Sequence, residues 1–153
     1  MKKAVITMMM AAIMFLALST CNEASEPSAP QGQNTNTIFL HIGNRTLTAT
    51  LTENPATRTL RELLAQSPIT IDMRDFGGFE KVGNLATHLP TNDQRISTVP
   101  GDIMLFRGNQ LVIFYAPHAW SYTRIGRIDD ITQAELIQIL GPGNVTVKLS
   151  LTR

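Results

Sequence analysis

Apolar and polar residues alternate from Ile38 to Ile42 and again from Leu47 to Leu51, with Gly43-Asn44 between them. A period of two places Ile38, Leu40 and Ile42 on one face of a strand, and Leu47, Ala49 and Leu51 on one face of the next. Two β-rich runs across a Gly-Asn pair read as a hairpin. Asn54-Pro55 then opens a helix. Asn is a good N-cap, and Pro suits the first helical position, where a missing N–H costs nothing. Leu60, Leu63 and Leu64 form its buried stripe, and Ser67-Pro68 stops it. Ile69, Ile71 and Met73 resume the strand alternation.

From Arg74 to Ser97 the pattern is irregular, and Gly77-Gly78, Gly83, Pro90 and Asn92-Asp93 mark loops and turns. Ile103 to Phe106 and Leu111 to Tyr115 are continuous apolar runs joined by the turn Arg107-Gly108-Asn109-Gln110. Runs of this kind belong to strands buried on both sides or at a barrel core. Tyr122 to Ile128 reads as a further strand. Thr132-Gln133-Ala134-Glu135 is a capping box for a helix carrying Leu136, Ile137, Ile139 and Leu140, which Gly141-Pro142 ends. Val145, Val147, Leu149 and Leu151 alternate as a last strand. Seven or eight short strands with two short helices predict a mainly β fold, a closed barrel, which also removes exposed strand edges.

The first twenty residues follow a different logic. Met1-Lys2-Lys3 is a short basic start, and Ala4 to Leu18 carries no charge. That run falls short of the ~20 residues that a membrane span needs and suits an export signal. It ends in Leu18-Ser19-Thr20-Cys21, which reads as a lipobox, although Thr20 is bulkier than the usual small residue before the cysteine. A plain secretory signal with a chance cysteine is the alternative. Three features favour the lipobox: Cys21 is the only cysteine, it ends the apolar run, and Asn22 to Asn36 contains no large apolar residue. Such a segment cannot bury enough surface to order itself, so residues 21–36 are expected to be a flexible tether. An acylated cysteine carries two or more chains, enough for stable anchoring. The expectation is a bacterial envelope lipoprotein, extracytoplasmic and held to a membrane through Cys21.

Removing residues 1–20 and the tether leaves about 115 residues, enough for one domain over 37–153. Loss of Lys2 and Lys3 takes the 13 Lys and Arg to 11, against 12 Asp and Glu. Without a basic stripe, no nucleic-acid partner is expected. With Cys21 acylated, the domain has no thiol for a disulfide, a nucleophile or a zinc site. His41, His88 and His118 lack metal-ligand spacing, and His41 is expected to be solvated on the polar face of its strand. No G-x-S-x-G elbow supports a hydrolase. No metal and no cofactor are expected, and the domain should be a monomer.

The opening hairpin, the Asn54-Pro55 helix with Leu63-Leu64, Phe79-Glu80-Lys81, Pro100-Gly101-Asp102-Ile103, Ile113-Phe114-Tyr115 and Tyr122 to Ile128 fall in a telling order. Together, over residues 37–151, they resemble the small bacterial cyclophilin-like proteins. The resemblance implies eight antiparallel strands closed into a barrel, with helices at its ends. Cyclophilins proper are peptidyl-prolyl isomerases, with an arginine near a hydrophobic proline pocket, an aromatic and a glutamine. That local pattern is missing: Phe76-Gly77-Gly78-Phe79 has glycines and aromatics but no glutamine at the right place. The isomerase residues are therefore not carried over. Relatives also occur beside or fused to flavodoxins, which makes an accessory partner of a redox protein a third reading, although no flavin fingerprint is present.

The candidate ligand-binding residues are Arg74, Phe76, Phe79, Glu80, Lys81, Trp120, Tyr122 and Arg124. Glu80-Lys81 reads as an acid and base at a cleft mouth, or as an ion pair that locks the loop. Arg74 has the fork of donors that a substrate carbonyl would need. The plainer reading, an Arg74–Asp75 pair holding the loop, is preferred. Trp120 and Tyr122 either line a proline-binding groove or pack internally, while Tyr115 is expected in the core. The leading reading is a module that binds a peptide or small molecule. An isomerase acting on exported proteins is the alternative.

Overall fold

The computed structural model describes residues 36–153. The expected leader, Cys21 and the tether up to residue 35 lie outside the described residues. The opening alternation forms β1 (Thr37–Ile42) and β2 (Arg45–Leu51), paired antiparallel around Gly43. α1 (Pro55–Gln66) begins as its cap requires: the Asn54 side chain accepts from the Thr57 N–H at 3.0 Å, and the Thr57 hydroxyl accepts from the Asn54 N–H at 3.1 Å. The chain continues through β3 (Ile69–Phe76), β4 (Glu80–Asn84), β5 (Gln94–Thr98), β6 (Asp102–Phe106), β7 (Gln110–Phe114) and β8 (His118–Ile128). It ends with α2 (Gln133–Leu140), which the Thr132–Glu135 box starts, and β9 (Val145–Ser150).

The strands run in the order β2-β1-β9-β3-β4-β7-β6-β8-β5, and β2 also pairs with β8. That second pairing closes eight antiparallel strands into a barrel and leaves β5 as an extra strand outside the ring. The seam holds three residue pairs, with Leu51 opposite Gly126. A Cβ on Gly126 would run into the Thr50 carbonyl oxygen, so only glycine lets β8 approach β2 this closely.

The barrel interior takes alternate residues from every wall, among them Leu40, Ile71, Ile103, Leu105, Ile113, Ile125 and Leu149, together with Leu60 of α1 and Leu136 and Leu140 of α2. Each fully buried side chain of this kind contributes roughly 1.5–3 kcal/mol. A second cluster lies on the outside of the wall: Val82, Met104, Val112, Phe114 and Tyr122, with Phe79, Ile96 and Phe106 against them. Strand β8 explains it. Its second half pairs with β6 inside the ring, across a bulge at Ile103/Met104, and its first half pairs with β5. The β5–β8 ribbon thus covers the outer face of β6 and β7. Those two strands are buried on both faces, which accounts for their continuous apolar sequences.

Residues 74–97 differ from the irregular segment expected. β3 runs on to Phe76, and β4 and β5 lie within it. Gly77 and Gly78 both have positive φ, and the Phe79 N–H reaches the Phe76 carbonyl at 3.4 Å, so this loop is a tight hairpin turn. Strand β8 begins at His118 rather than Tyr122. His41 is not merely solvated: its ring nitrogens lie 3.1 Å from the Thr46 hydroxyl and 2.8 Å from the Ser150 hydroxyl, tying β1 to both neighbours.

Candidate functional site

On β3, Ile71 and Met73 point into the barrel, so Asp72, Arg74 and Phe76 belong to the outer face. The same alternation puts Glu80, Val82 and Asn84 of β4 outside, and Gln110, Val112 and Phe114 of β7. The strand registers align these positions in rows. Phe76, Glu80 and Phe114 stand side by side; next come Arg74, Val82 and Val112; then Asn84 and Gln110. The outer wall therefore grades from aromatic to polar, with Arg74 between.

The polar end is a groove of about 270 Å³ lined by Asp72, Arg74, Asn84, Gln110 and Asn144 over Met73, Val82 and Gly83. Two of its side chains are already oriented. Asp72 accepts from the Thr146 hydroxyl at 2.7 Å, and the Asn84 carboxamide oxygen accepts from the Ala86 N–H at 2.7 Å. Asn84 thus offers its NH2 group to a ligand. One guanidinium and several carboxamides form a set of donors for carbonyl or carboxylate oxygens, with carboxamide oxygens and Asp72 as acceptors.

At the aromatic end, Phe79 stacks on His118 at 4.2 Å, Phe114 meets Tyr122 edge-on at 5.3 Å, and Phe76 meets Phe79 edge-on at 6.1 Å. Glu80 is buried beneath them, and its Oε2 has no hydrogen-bond partner. Burial pushes its carboxyl up to about 7, with the Tyr122 hydroxyl pulling the other way. The Tyr122 hydroxyl is itself pushed up to about 12, by burial first and then by Glu80. Phe76 and Trp120 each remain 54% exposed.

Five of the candidates, Arg74, Phe76, Phe79, Glu80 and Tyr122, come together on this wall, Tyr122 as a packed residue of the second cluster. Trp120 stands on the covering ribbon, paired with Ile96. Lys81 and Arg124 go elsewhere. Successive strand residues face opposite ways, so Glu80 and Lys81 form no pair with each other. Lys81 turns inward and donates to Asp75 Oδ1 at 3.1 Å, the Gly141 carbonyl at 2.9 Å and the Gly143 carbonyl at 2.7 Å. Asp75 is thereby the partner of Lys81, not of Arg74. It also accepts from the Tyr115 hydroxyl at 2.6 Å, so Tyr115 packs its half-buried ring against the core and carries its hydroxyl to the barrel mouth. Arg124 pairs with Asp102 at 3.3 Å and lines a separate cleft with Asn54, Gln94 and Ile96. Among the described residues, no three His, Asp or Glu side chains converge to hold a metal ion.

The family model described as "Cyclophilin-like family" matches residues 40–150. The chain belongs to the cyclophilin-like family. Solved structures agree on the fold. The solution structure of a hypothetical protein from Archaeoglobus fulgidus superposes with a TM-score of 0.58 at 15% identity, covering 81% of this chain and 100% of that one. McbB, solved in complex with tryptophan, gives a TM-score of 0.52 at 12% identity over 74% of this chain and 44% of its own. None of the curated proteins matches the sequence.

Within this cyclophilin-like barrel, Asp72, Asn84, Gln110 and Asn144 are polar groove residues that the local sequence pattern does not single out. By local pattern alone, Gln110 reads as a turn residue and Asn84 as part of an irregular segment. Placing Gln110 at the start of the β7 alternation would have put it on the same face as Val112 and Phe114.

Proposed function

We propose that this chain is a binding module whose outer wall takes an extended peptide or a small polar ligand. The observation that carries the reading is the groove itself: Arg74, Asn84, Gln110 and Asn144 line one cavity of about 270 Å³. Such donors suit backbone carbonyls, and the exposed Phe76 ring, one row further along the wall, offers a surface for a ring or apolar side chain. Titrating the purified protein with a short X-Pro peptide should give saturable amide shifts at Arg74, Val82, Asn84 and Gln110. Arg74→Ala should weaken binding by about tenfold, the loss of one charge-assisted hydrogen bond. Shifts that avoid these residues would show the groove is misplaced.

Isomerase activity is the second reading, and Arg74 sharing a groove with Gln110 favours it. The aromatics count against it. Phe79, Phe114 and Tyr122 pack on one another, so they do not line the groove as a proline pocket would require. Acceleration of cis–trans exchange in the same peptide, lost in Arg74→Ala, would make this an enzyme. A rate equal to buffer would leave the binding module.

The same proposal includes an extracytoplasmic address, supported by the apolar run Ala4–Leu18 and its ending in Cys21. Cys21→Ser should release the protein from membranes and abolish labelling by a fatty-acid analogue.

A further inference from the structure

A second cavity, of about 570 Å³, opens at the barrel mouth on the opposite face of β3 from the Arg74 groove. Its walls are Ile137, Leu140 and Pro142, its floor is Gly141 and Gly143, and its polar edge is Asp75 and Tyr115. The volume lies in the range of small-molecule sites, which are mostly apolar with a few convergent polar groups. Ile137 is 47% exposed although its helix neighbours Leu136 and Leu140 are buried in the core.

The polar edge has a definite sense. Lys81 is buried, and its three N–H groups are taken by Asp75 and the carbonyls of Gly141 and Gly143. It fixes the cavity floor and has no donor left to give. Gly141 and Gly143 both have positive φ, the conformation that lets this short loop present two carbonyls to one ammonium. The Tyr115 hydroxyl spends its proton on Asp75 Oδ1. The Asp75 side chain is still 35% exposed. What the edge presents to the cavity is therefore acceptors: the Asp75 carboxylate and the lone pairs of the Tyr115 oxygen. The hydrogen bond from Tyr115, and then Lys81, hold the Asp75 carboxyl below its ordinary range, so it stays ionised near neutrality.

We propose that this mouth cavity is a second ligand site, for a small molecule with an apolar body and an ammonium or other N–H donor head. The body lies on Ile137, Leu140 and Pro142, and the head meets Asp75 and the Tyr115 oxygen. A carboxylate head of the same shape meets acceptors only and is refused.

Phenethylammonium is the probe. Added to the purified protein, it should give saturable amide shifts at Ile137 to Gly143, Asp75 and Tyr115, while 3-phenylpropionate at the same concentration gives none there. Ile137→Gln, an exposed change on a helix, should weaken the probe by about fivefold or more, through lost apolar contact. Tyr115→Phe should weaken it less. Equal binding of 3-phenylpropionate, an unchanged affinity in Ile137→Gln, or shifts confined to the Arg74–Gln110 groove would overturn the assignment. The outer groove and this cavity share no side chain, so failure of one leaves the other standing.

Discussion

Glu80 and Lys81 are neighbours on one strand, yet the two sides of β4 bury a charge in opposite ways. Inside the barrel, three oxygens, one of them a carboxylate, saturate the three N–H groups of Lys81. Outside, Glu80 lies under aromatic rings with an unpartnered oxygen, and burial drives it toward the neutral acid. A buried charge must either be matched or be given up. The inner face of this strand does the first, and the outer face is built for the second.

The largest break in that comparison should come from Lys81→Met. It removes the only donor shared by Asp75 and two loop carbonyls, and should cost about 3 kcal/mol in urea unfolding. A cost below ~1 kcal/mol would mean that the inner ion pair is no better matched than a surface one. Glu80→Gln should have a smaller effect at neutral pH, with its signature in the pH dependence. The folded-state pKa of Glu80, about 7, lies above its ordinary 4.5, so the folded protein holds this proton more tightly. Stability from this group is full below pH 4.5 and is lost as pH rises toward and through 7. Thermal melts should show that fall in the wild type and a flatter curve over the same window in Glu80→Gln. Asp75 contributes with the opposite sign: its lowered pKa gives stability above its ordinary 3.8 that is lost on further acidification. The smallest effect should be that of Tyr122→Phe. The Tyr122 hydroxyl lowers the Glu80 pKa, so its removal should move the Glu80 midpoint upward in a carboxyl 13C titration; a downward move would reassign the hydroxyl's role.

Much of the barrel was readable because its walls alternate. Ile38 to Ile42, Ile69 to Met73 and Val145 to Leu149 each put every second residue into one core. β4 and β5 were not readable, for a physical reason. On β4 the inward positions are Lys81 and Gly83, because a lysine fills the mouth and Ile71 and Met73 leave no room for a Cβ at residue 83. On β5 the covered face carries one large apolar residue, the half-buried Ile96, and a buried but polar Thr98, so no apolar alternation shows. The candidate site divides in the same way. Arg74, Phe76, Phe79 and Glu80 are close in the chain and stood out as a segment. Gln110 and Asn144 join Arg74 only through strand register and loop position, which local patterns do not carry. Two of the three partners of Lys81, the Gly141 and Gly143 carbonyls, lie just past α2, equally far from any local signal.

The seam at Leu51 and Gly126 has a kinetic consequence. It joins chain segments far apart in sequence through three residue pairs, so the entropy of closing a long loop is lost for little local return. The expected order of assembly is hairpins first and ring closure last. Gly126→Ala would then speed unfolding and leave refolding almost unchanged, and a φ-value near one for that substitution would instead place the seam in the folding nucleus.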